Sequence, residues 1–384
     1  MKHVEVLISQ LGRIITGKTP STKKAEMFGG QYAFVTPTDL DWKTYYVRST
    51  ERTVSGSAKE AFPNQFISPD SVLVTCIGAT IGKCGLAAEE CLTNQQINSI
   101  VPEDPTDGRF IYYLLIRNIK LIRGVGLGGG AATPILNKTT FSKIRLHVPP
   151  KNRWAAIADI LSAYDDLIEN NRRRIQLLEQ AARLLYKEWF VNLRFPGHEH
   201  VKIKDGVPDG WERKFIMDVW DISYGKNLPK KNIKVSGKYP VHGADTIIGF
   251  FDEKNVNTSL CLITCRGNGS GNIRRTFGPT FVTNNCFILR PKLYPDEIKF
   301  HFTMITMEQL KLRELRTGAA QPQLTLSGIG HLQIKIPSRM ILSLFNAIVD
   351  PLFKQADMLR KQVNLLAQAR DLLLPRLMNG EIAV

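Results

Sequence analysis

The 384-residue chain lacks any run of 18 or more apolar residues, which excludes a bilayer-spanning helix of ordinary length. Its opening segment, MKHVEVLISQ, carries Glu5 where a secretory leader needs an unbroken apolar stretch, so a cytoplasmic location is expected. Only six cysteines occur, Cys76, Cys84, Cys91, Cys261, Cys265 and Cys286. None forms a Cys-x-x-Cys pair or has a histidine at zinc-finger spacing, so they read as small buried residues and no metal site is expected. Acidic residues are missing from three long stretches. Gly108 to Ala158 has none but holds nine Lys or Arg; Ile222 to Ala244 has none but holds five lysines; Lys254 to Pro295 has none but holds six basic residues.

The net charge is +16. An excess of this size points to a polyanionic partner, nucleic acid first and a membrane surface second, with a solubilising surface as the plain alternative. Gly, Asn, Gln, Thr and Ser are mixed among the basic residues. That is the composition of loops that grip phosphates and read base edges. A membrane patch would want a basic amphipathic helix instead.

The chain is written twice. Gly17-Lys18-Thr19-Pro20 is echoed by Gly225-Lys226-Asn227-Leu228-Pro229, Val74-Thr75-Cys76-Ile77-Gly78 by Ile263-Thr264-Cys265-Arg266-Gly267, and Thr93-Asn94-Gln95 by Thr283-Asn284-Asn285. Gly130-Ala131-Ala132-Thr133-Pro134 returns as Gly318-Ala319-Ala320-Gln321-Pro322, and His147-Val148-Pro149 as Lys335-Ile336-Pro337. Each copy is an irregular, strand-rich segment followed by a helix. Ser71–Cys76 and Ser259–Cys265 read as buried strands. Residues 155–189 hold no Gly or Pro and read as one helix. The expected domains are 1–150 and 195–337 for the two globular copies, with spacer helices at 151–194 and 338–384.

Both helices carry a 4,3 stripe. In the first it runs through Ile157, Leu161, Tyr164, Ile168, Asn171, Ile175, Leu178, Ala182 and Leu185. In the second it runs through Phe345, Val349, Leu352, Ala356, Leu359, Val363, Leu366, Arg370, Leu373 and Leu377. A period of 3.5 residues predicts coiled-coil packing of one helix on the other, the alternative being that each packs on its own domain. Asn171 breaks the seam, as a residue that fixes register does. Pro351 is expected to mark a first turn or a kink. Arg172, Arg173 and Arg174, mostly off the seam, either touch a DNA backbone or form a solvated face.

Two catalytic motifs match in letters only. Gly12 to Thr19 fits the phosphate-loop pattern, but Pro20 interrupts the helix that must follow, and Trp220 stands for Gly12 in the copy. Gly124 to Gly129 fits G-x-G-x-x-G without an acidic residue at dinucleotide spacing and reads as a flexible loop. No Asn/Asp-Pro-Pro-aromatic motif is found, and no Ser-His-Asp order or His-Glu-x-x-His stands out, so no catalytic residue is assigned.

The run Ile157-Ala158-Asp159-Ile160-Leu161-Ser162-Ala163-Tyr164-Asp165-Asp166-Leu167-Ile168-Glu169-Asn170-Asn171, then Val207-Pro208-Asp209-Gly210-Trp211, Gly318 to Pro322 and Leu372-Leu373-Leu374-Pro375-Arg376-Leu377-Met378-Asn379-Gly380-Glu381-Ile382, carry a likeness that extends over nearly the whole chain. In combination they resemble the specificity subunits of type I restriction–modification enzymes. The first copy departs by lacking the Pro-x-Gly-Trp entry, and Lys151-Asn152-Arg153 stands where the family usually has Glu-Gln. The resemblance implies an α+β protein: two pseudo-repeated α/β target-recognition domains joined by two long antiparallel coiled-coil helices that set the distance between them. It implies a non-catalytic subunit that binds bipartite, non-palindromic double-stranded DNA. Its partners are two methyltransferase subunits and restriction/translocase subunits, which hold the S-adenosylmethionine, ATP and magnesium.

Residues shared by both copies cannot explain why the copies read different bases. Gly17, Lys18, Pro20, Thr75, Gly78, Thr93 and Asn94, with Gly225, Lys226, Pro229, Thr264, Gly267, Thr283 and Asn284, are therefore assigned to framework or phosphate contact. Base reading is assigned to Thr36, Thr38, Lys43, Lys83, Gln95 and Gln96 in the first copy. In the second it is assigned to Lys230, Lys231, His242, Arg266, Asn268, Arg274, Arg275 and Asn285, since Arg and Lys suit guanine and Asn and Gln suit adenine. About half of these are expected to be phosphate or loop-holding contacts. The competing readings are a lone DNA methyltransferase or nuclease, disfavoured by the missing motif, and a pure coiled-coil assembly protein, disfavoured by the acid-free basic stretches.

Overall fold

The computed structural model describes residues 3–128, 133–318 and 321–384. Two compact units emerge, one of residues 1–172 with 361–384 and one of residues 173–360.

In the first unit a five-stranded sheet runs in the order Arg13–Thr16, Ile97–Val101, Val72–Thr75, Cys84–Ala87, Tyr46–Val47. Val72–Thr75 is buried along its whole length, as a short β-branched run should be. A second sheet places Phe28–Val35 antiparallel to Arg52–Val54 and parallel to Cys91–Thr93. In the second unit Trp220–Tyr224, Cys286–Pro291, Cys261–Thr264 and Ile273–Arg275 form the matching sheet, and Tyr239–His242 runs parallel to Phe281–Val282.

The internal repeat extends to single hydrogen bonds. Gly17 N donates to Ile97 O as Gly225 N donates to Cys286 O; Cys76 N donates to Gln96 O as Cys265 N donates to Asn285 O; Leu136 N donates to Cys76 O as Leu324 N donates to Cys265 O. Gly17 and Gly225 are glycine for one reason. A Cβ at either would collide with backbone carbonyl oxygens, those of Thr93 and Asn94 or of Val282 and Thr283. Gly82 lies beneath Arg123 and Gly271 beneath Arg313, a repeated pair absent from the sequence reading.

The first long helix is Trp154–Tyr186, followed by a π-turn at Lys187–Val191, and the second is Arg339–Asn379. Pro351 therefore lies well inside the second helix rather than in its first turn; it is exposed, on the face away from the buried seam. Ile157, Leu161, Ile168, Asn171, Ala182, Phe345, Val349, Ala356, Leu359 and Leu377 are buried. Ile175, Leu178, Leu185, Leu352, Val363, Leu366 and Leu373 are half-buried.

Within the first unit, Asp165 meets Arg370 and Asn171 lies 3.5 Å from Gln362, so the segments run antiparallel. Within the second, Glu179 meets Arg360 and the Tyr186 ring packs 6.2 Å from that of Phe345, again antiparallel. The helices pack on each other and on the domains together. Ile157, Leu161, Leu374 and Leu377 share a core with Phe110 and Trp154, whose rings stack at 4.3 Å. Tyr186 and Phe345 share one with Phe302 and Trp220.

The Gly124–Gly129 run is not a flexible loop as far as it is described: Ile119–Leu127 is helical. Ile122 is buried, and Gly126 packs so closely on Ile81 that a Cβ would come within 2.8 Å of it. Gly129 and the repeated Gly130-Ala131-Ala132 and Ala319-Ala320 lie outside the described residues.

Candidate nucleic-acid interface

In each unit the strands bring the repeated loops to one end. In the second unit Trp220–Tyr224 and Cys261–Thr264 both run antiparallel to Cys286–Pro291, so Lys226, Arg266 and Asn285 emerge together. Lys226 bridges to Thr283, and Thr283 N donates to His242 O. The turn after His242 therefore joins the same end. In the first unit Lys18 N donates to Thr93 O, and Asn94 N donates to Val35 O, which brings Thr36 to Lys43 beside Lys18, Gln95 and Gln96. Thr19 Oγ1 donates to Gln95 Oε1 at 2.6 Å.

Lys18, Thr38, Lys43, Gln95, Lys226, Lys230, Lys231, Arg266 and Asn268 are exposed. Among the described residues no carboxylate lies within salt-bridge distance of Lys18, Lys226, Lys230, Lys231 or Arg266. Cations left unpaired at loop tips are available to phosphates or guanine edges. Arg266 lies 5.9 Å from the Tyr224 ring, and Asn268 O accepts from Arg316.

Other assigned residues are half-buried and engaged inside the fold. Thr36 bonds Asp39 and Thr38; Lys83 Nζ donates to Leu40 O at 2.9 Å; Gln96 accepts from Asn94; Arg274 Nη2 donates to Gly243 O at 2.6 Å. Their first role is loop holding.

Two assignments are corrected. Arg275 has 5% of its side chain exposed and is ion-paired with Asp357, while its guanidinium lies against Phe277 and Phe300. It cannot reach a base without breaking a buried pair. His242 is buried, and burial with neighbouring Arg274 pushes its pKa down to about 4, so it is a neutral interior group. Both sit on strands at positions whose side chains point into the core, a parity that the polar letters did not reveal.

The sequence reading missed residues that the loops bring to the same ends. In the first unit Trp42 is 48% exposed, with Arg123 4.7 Å and Lys83 5.9 Å from its ring. In the second, Arg313 donates to Asn272, Asn272 donates to Asp245, and Arg316 reaches Asn268. The only available signal was the repeated Gly-basic pairing, which needs the long-range match of Gly82 with Gly271.

All six cysteines are buried, and burial pushes the Cys84 and Cys91 thiols up to about 12, which leaves them unreactive. Among the described residues no three His, Cys, Asp or Glu side chains gather as a metal site, and no helix is long and apolar enough to cross a membrane.

Two basic, pseudo-repeated loop faces, each on an α/β domain that shares its core with a long helix pair, define a double-headed nucleic-acid reader. The model for the type I restriction modification DNA specificity domain matches residues 2–180 and 208–363, and the chain belongs to that family. It is 27% identical to the type I restriction enzyme MjaIX specificity subunit of Methanocaldococcus jannaschii over 98% of this chain and 93% of that one. It is 32% identical to the HindI specificity subunit of Haemophilus influenzae over 45% of this chain and 38% of that one. The crystal structure of the S subunit from M. genitalium covers 98% of this chain and 96% of its own, with a TM-score of 0.61 at 20% identity, a likeness of fold. As a specificity subunit the chain is the DNA-recognition component, not the catalyst, of a type I restriction–modification system.

Proposed function

We propose that each unit reads one half of a bipartite, non-palindromic double-stranded target. The observation that carries this is the repeat itself: several framework hydrogen bonds recur in both units, while the side chains on that frame differ, as with Arg266 where the first unit has Ile77. Equal frames with unequal tips hold two similar DNA surfaces and ask different questions of the bases. Lys18 and Lys226, alike in both copies, contact phosphates. The chain holds two methyltransferase subunits, and restriction/translocase subunits join them in the cytoplasm. S-adenosylmethionine, ATP and magnesium belong to those partners. The basic stretches free of acidic residues, Ile222 to Ala244 and Lys254 to Pro295 in the second unit, support DNA as the partner over a purely assembling role.

A titration of purified chain plus methyltransferase on duplex DNA, with labelled S-adenosylmethionine, tests this. Sequence-selective, salt-dependent binding is expected, with methyl transfer only when the methyltransferase is present. Methyl transfer by the chain alone overturns it.

A further inference from the structure

Ile247 and Ile248 are adjacent, and they are 53% and 46% exposed. They open the second strand of the hairpin formed by Tyr239–His242 and Ile247–Phe251, where the register shifts: His242 faces Ile247 and Val241 faces Gly249, so Ile248 is the extra residue of a β-bulge and the strict alternation of faces is broken there. Two neighbouring branched apolar side chains, each about half in water, carry a hydration cost in the free chain.

Their position is fixed by the fold. The turn Gly243–Thr246 lies in the neighbouring three-stranded sheet and is held beside the end that presents Lys226, Arg266 and Asn285, because His242 O accepts from both the amide and the hydroxyl of Thr283. The turn is tied down along its length. Gly243 O accepts from Arg274, Ala244 O from Thr264, and Asp245 Oδ1 from Asn272. Ile248 folds over Gly243, where a Cβ would come within 2.7 Å of it. The apolar pair is thus a preorganised tip on a cationic face rather than a loose loop.

What such a tip meets follows from the chemistry of duplex DNA. The phosphates, sugars and most base edges are polar; in the major groove the apolar feature that differs between base pairs is the thymine C5-methyl group. Resting on the reading that this face binds DNA, we propose that Ile247 and Ile248 are specificity-determining residues that recognise thymine methyl groups in the half-site read by the second unit. Lys226 and Arg266 hold the backbone and a guanine beside them, and the isoleucines select T over C, which presents an amino group and no methyl.

The test uses the full chain with its methyltransferase partner and duplexes carrying its mapped target. Each thymine of the second half-site is replaced in turn by uracil, which removes only the methyl group. The unmodified complex is expected to lose about fourfold in affinity at one or two positions, the effect of one buried methyl. The double variant Ile247→Ala with Ile248→Ala is expected to bind the thymine and uracil duplexes equally, and each single variant to lose the methyl effect at its own position, with an unchanged melting temperature. Sequence-selective binding that ignores every such replacement, a half-site without thymine on either strand, or variants as methyl-sensitive as the parent overturn this proposal alone. A complex that binds no DNA overturns the specificity reading with it.

Discussion

The guanidinium of Arg275 donates to the carboxylate of Asp357, and this contact begins a chain of charges. Asp357 also accepts from Arg360, Arg360 donates to Glu179, Glu179 pairs with Arg183, and Arg183 forks onto Glu308. The chain ties a sheet strand and the helix Phe300–Gln309 to both long helices inside the second unit. Arg275→Met is expected to destabilise that unit by about 2 kcal/mol, less than a fully dry pair because the Asp357 side chain is 37% exposed. Arg275→Met with Asp357→Met is expected to recover much of the loss, since no buried charge is then orphaned. Denaturant midpoints of the two variants check this; a double variant weaker than the single one contradicts it.

Lys226 and Arg266 separate grip from reading. Lys226→Ala is expected to weaken binding to all duplexes alike and to lower the slope of log affinity against log salt by about one. Arg266→Ala is expected to cost about 1–3 kcal/mol on the target and to relax one half of the motif only. Binding titrations on matched and half-mismatched duplexes distinguish them. A change in the half-site assigned to the first unit contradicts the division of labour.

Stability should fall on mild acidification. The pKa of His242 is pushed from the usual 6.5 down to about 4, and that of His301 is also lowered, burial being the first cause of each. Between about pH 4 and 6.5 the unfolded chain binds a proton that folded His242 refuses, so stability is lost as pH drops through that window. Asp350, held down to about 2 by His301 and Lys299, loses its contribution only below that range. Denaturation midpoints at pH 7 and pH 5 are expected to differ, and His242→Gln to narrow the gap. An unchanged gap contradicts the assignment.

The repeat, the helices and the seam were legible because each is periodic: a glycine under a carbonyl, or a leucine every three or four residues, leaves a mark in the letters. Base-facing side chains leave no such mark. Arg274 and Arg275 are neighbours of identical chemistry, yet one holds a turn and the other is spent on Asp357, because successive strand residues face opposite ways. Trp42 was legible as an aromatic but not as a loop-tip residue clasped by Arg123, 81 positions away. Gly124 and Gly126 read as loop formers, yet both lie in the helix Ile119–Leu127, and of the two it is Gly126 that must be small, because Ile81 packs on it.

On the proposed reading, two unlike heads built on a repeated frame define the target. Co-expression of the chain with its methyltransferase partner, followed by single-molecule mapping of methylated adenines in the host DNA, tests it most directly. The expected result is one bipartite, non-palindromic motif whose second half alone degenerates in Arg266→Ala. A palindromic motif, or methylation unaffected by removing the chain, contradicts the account.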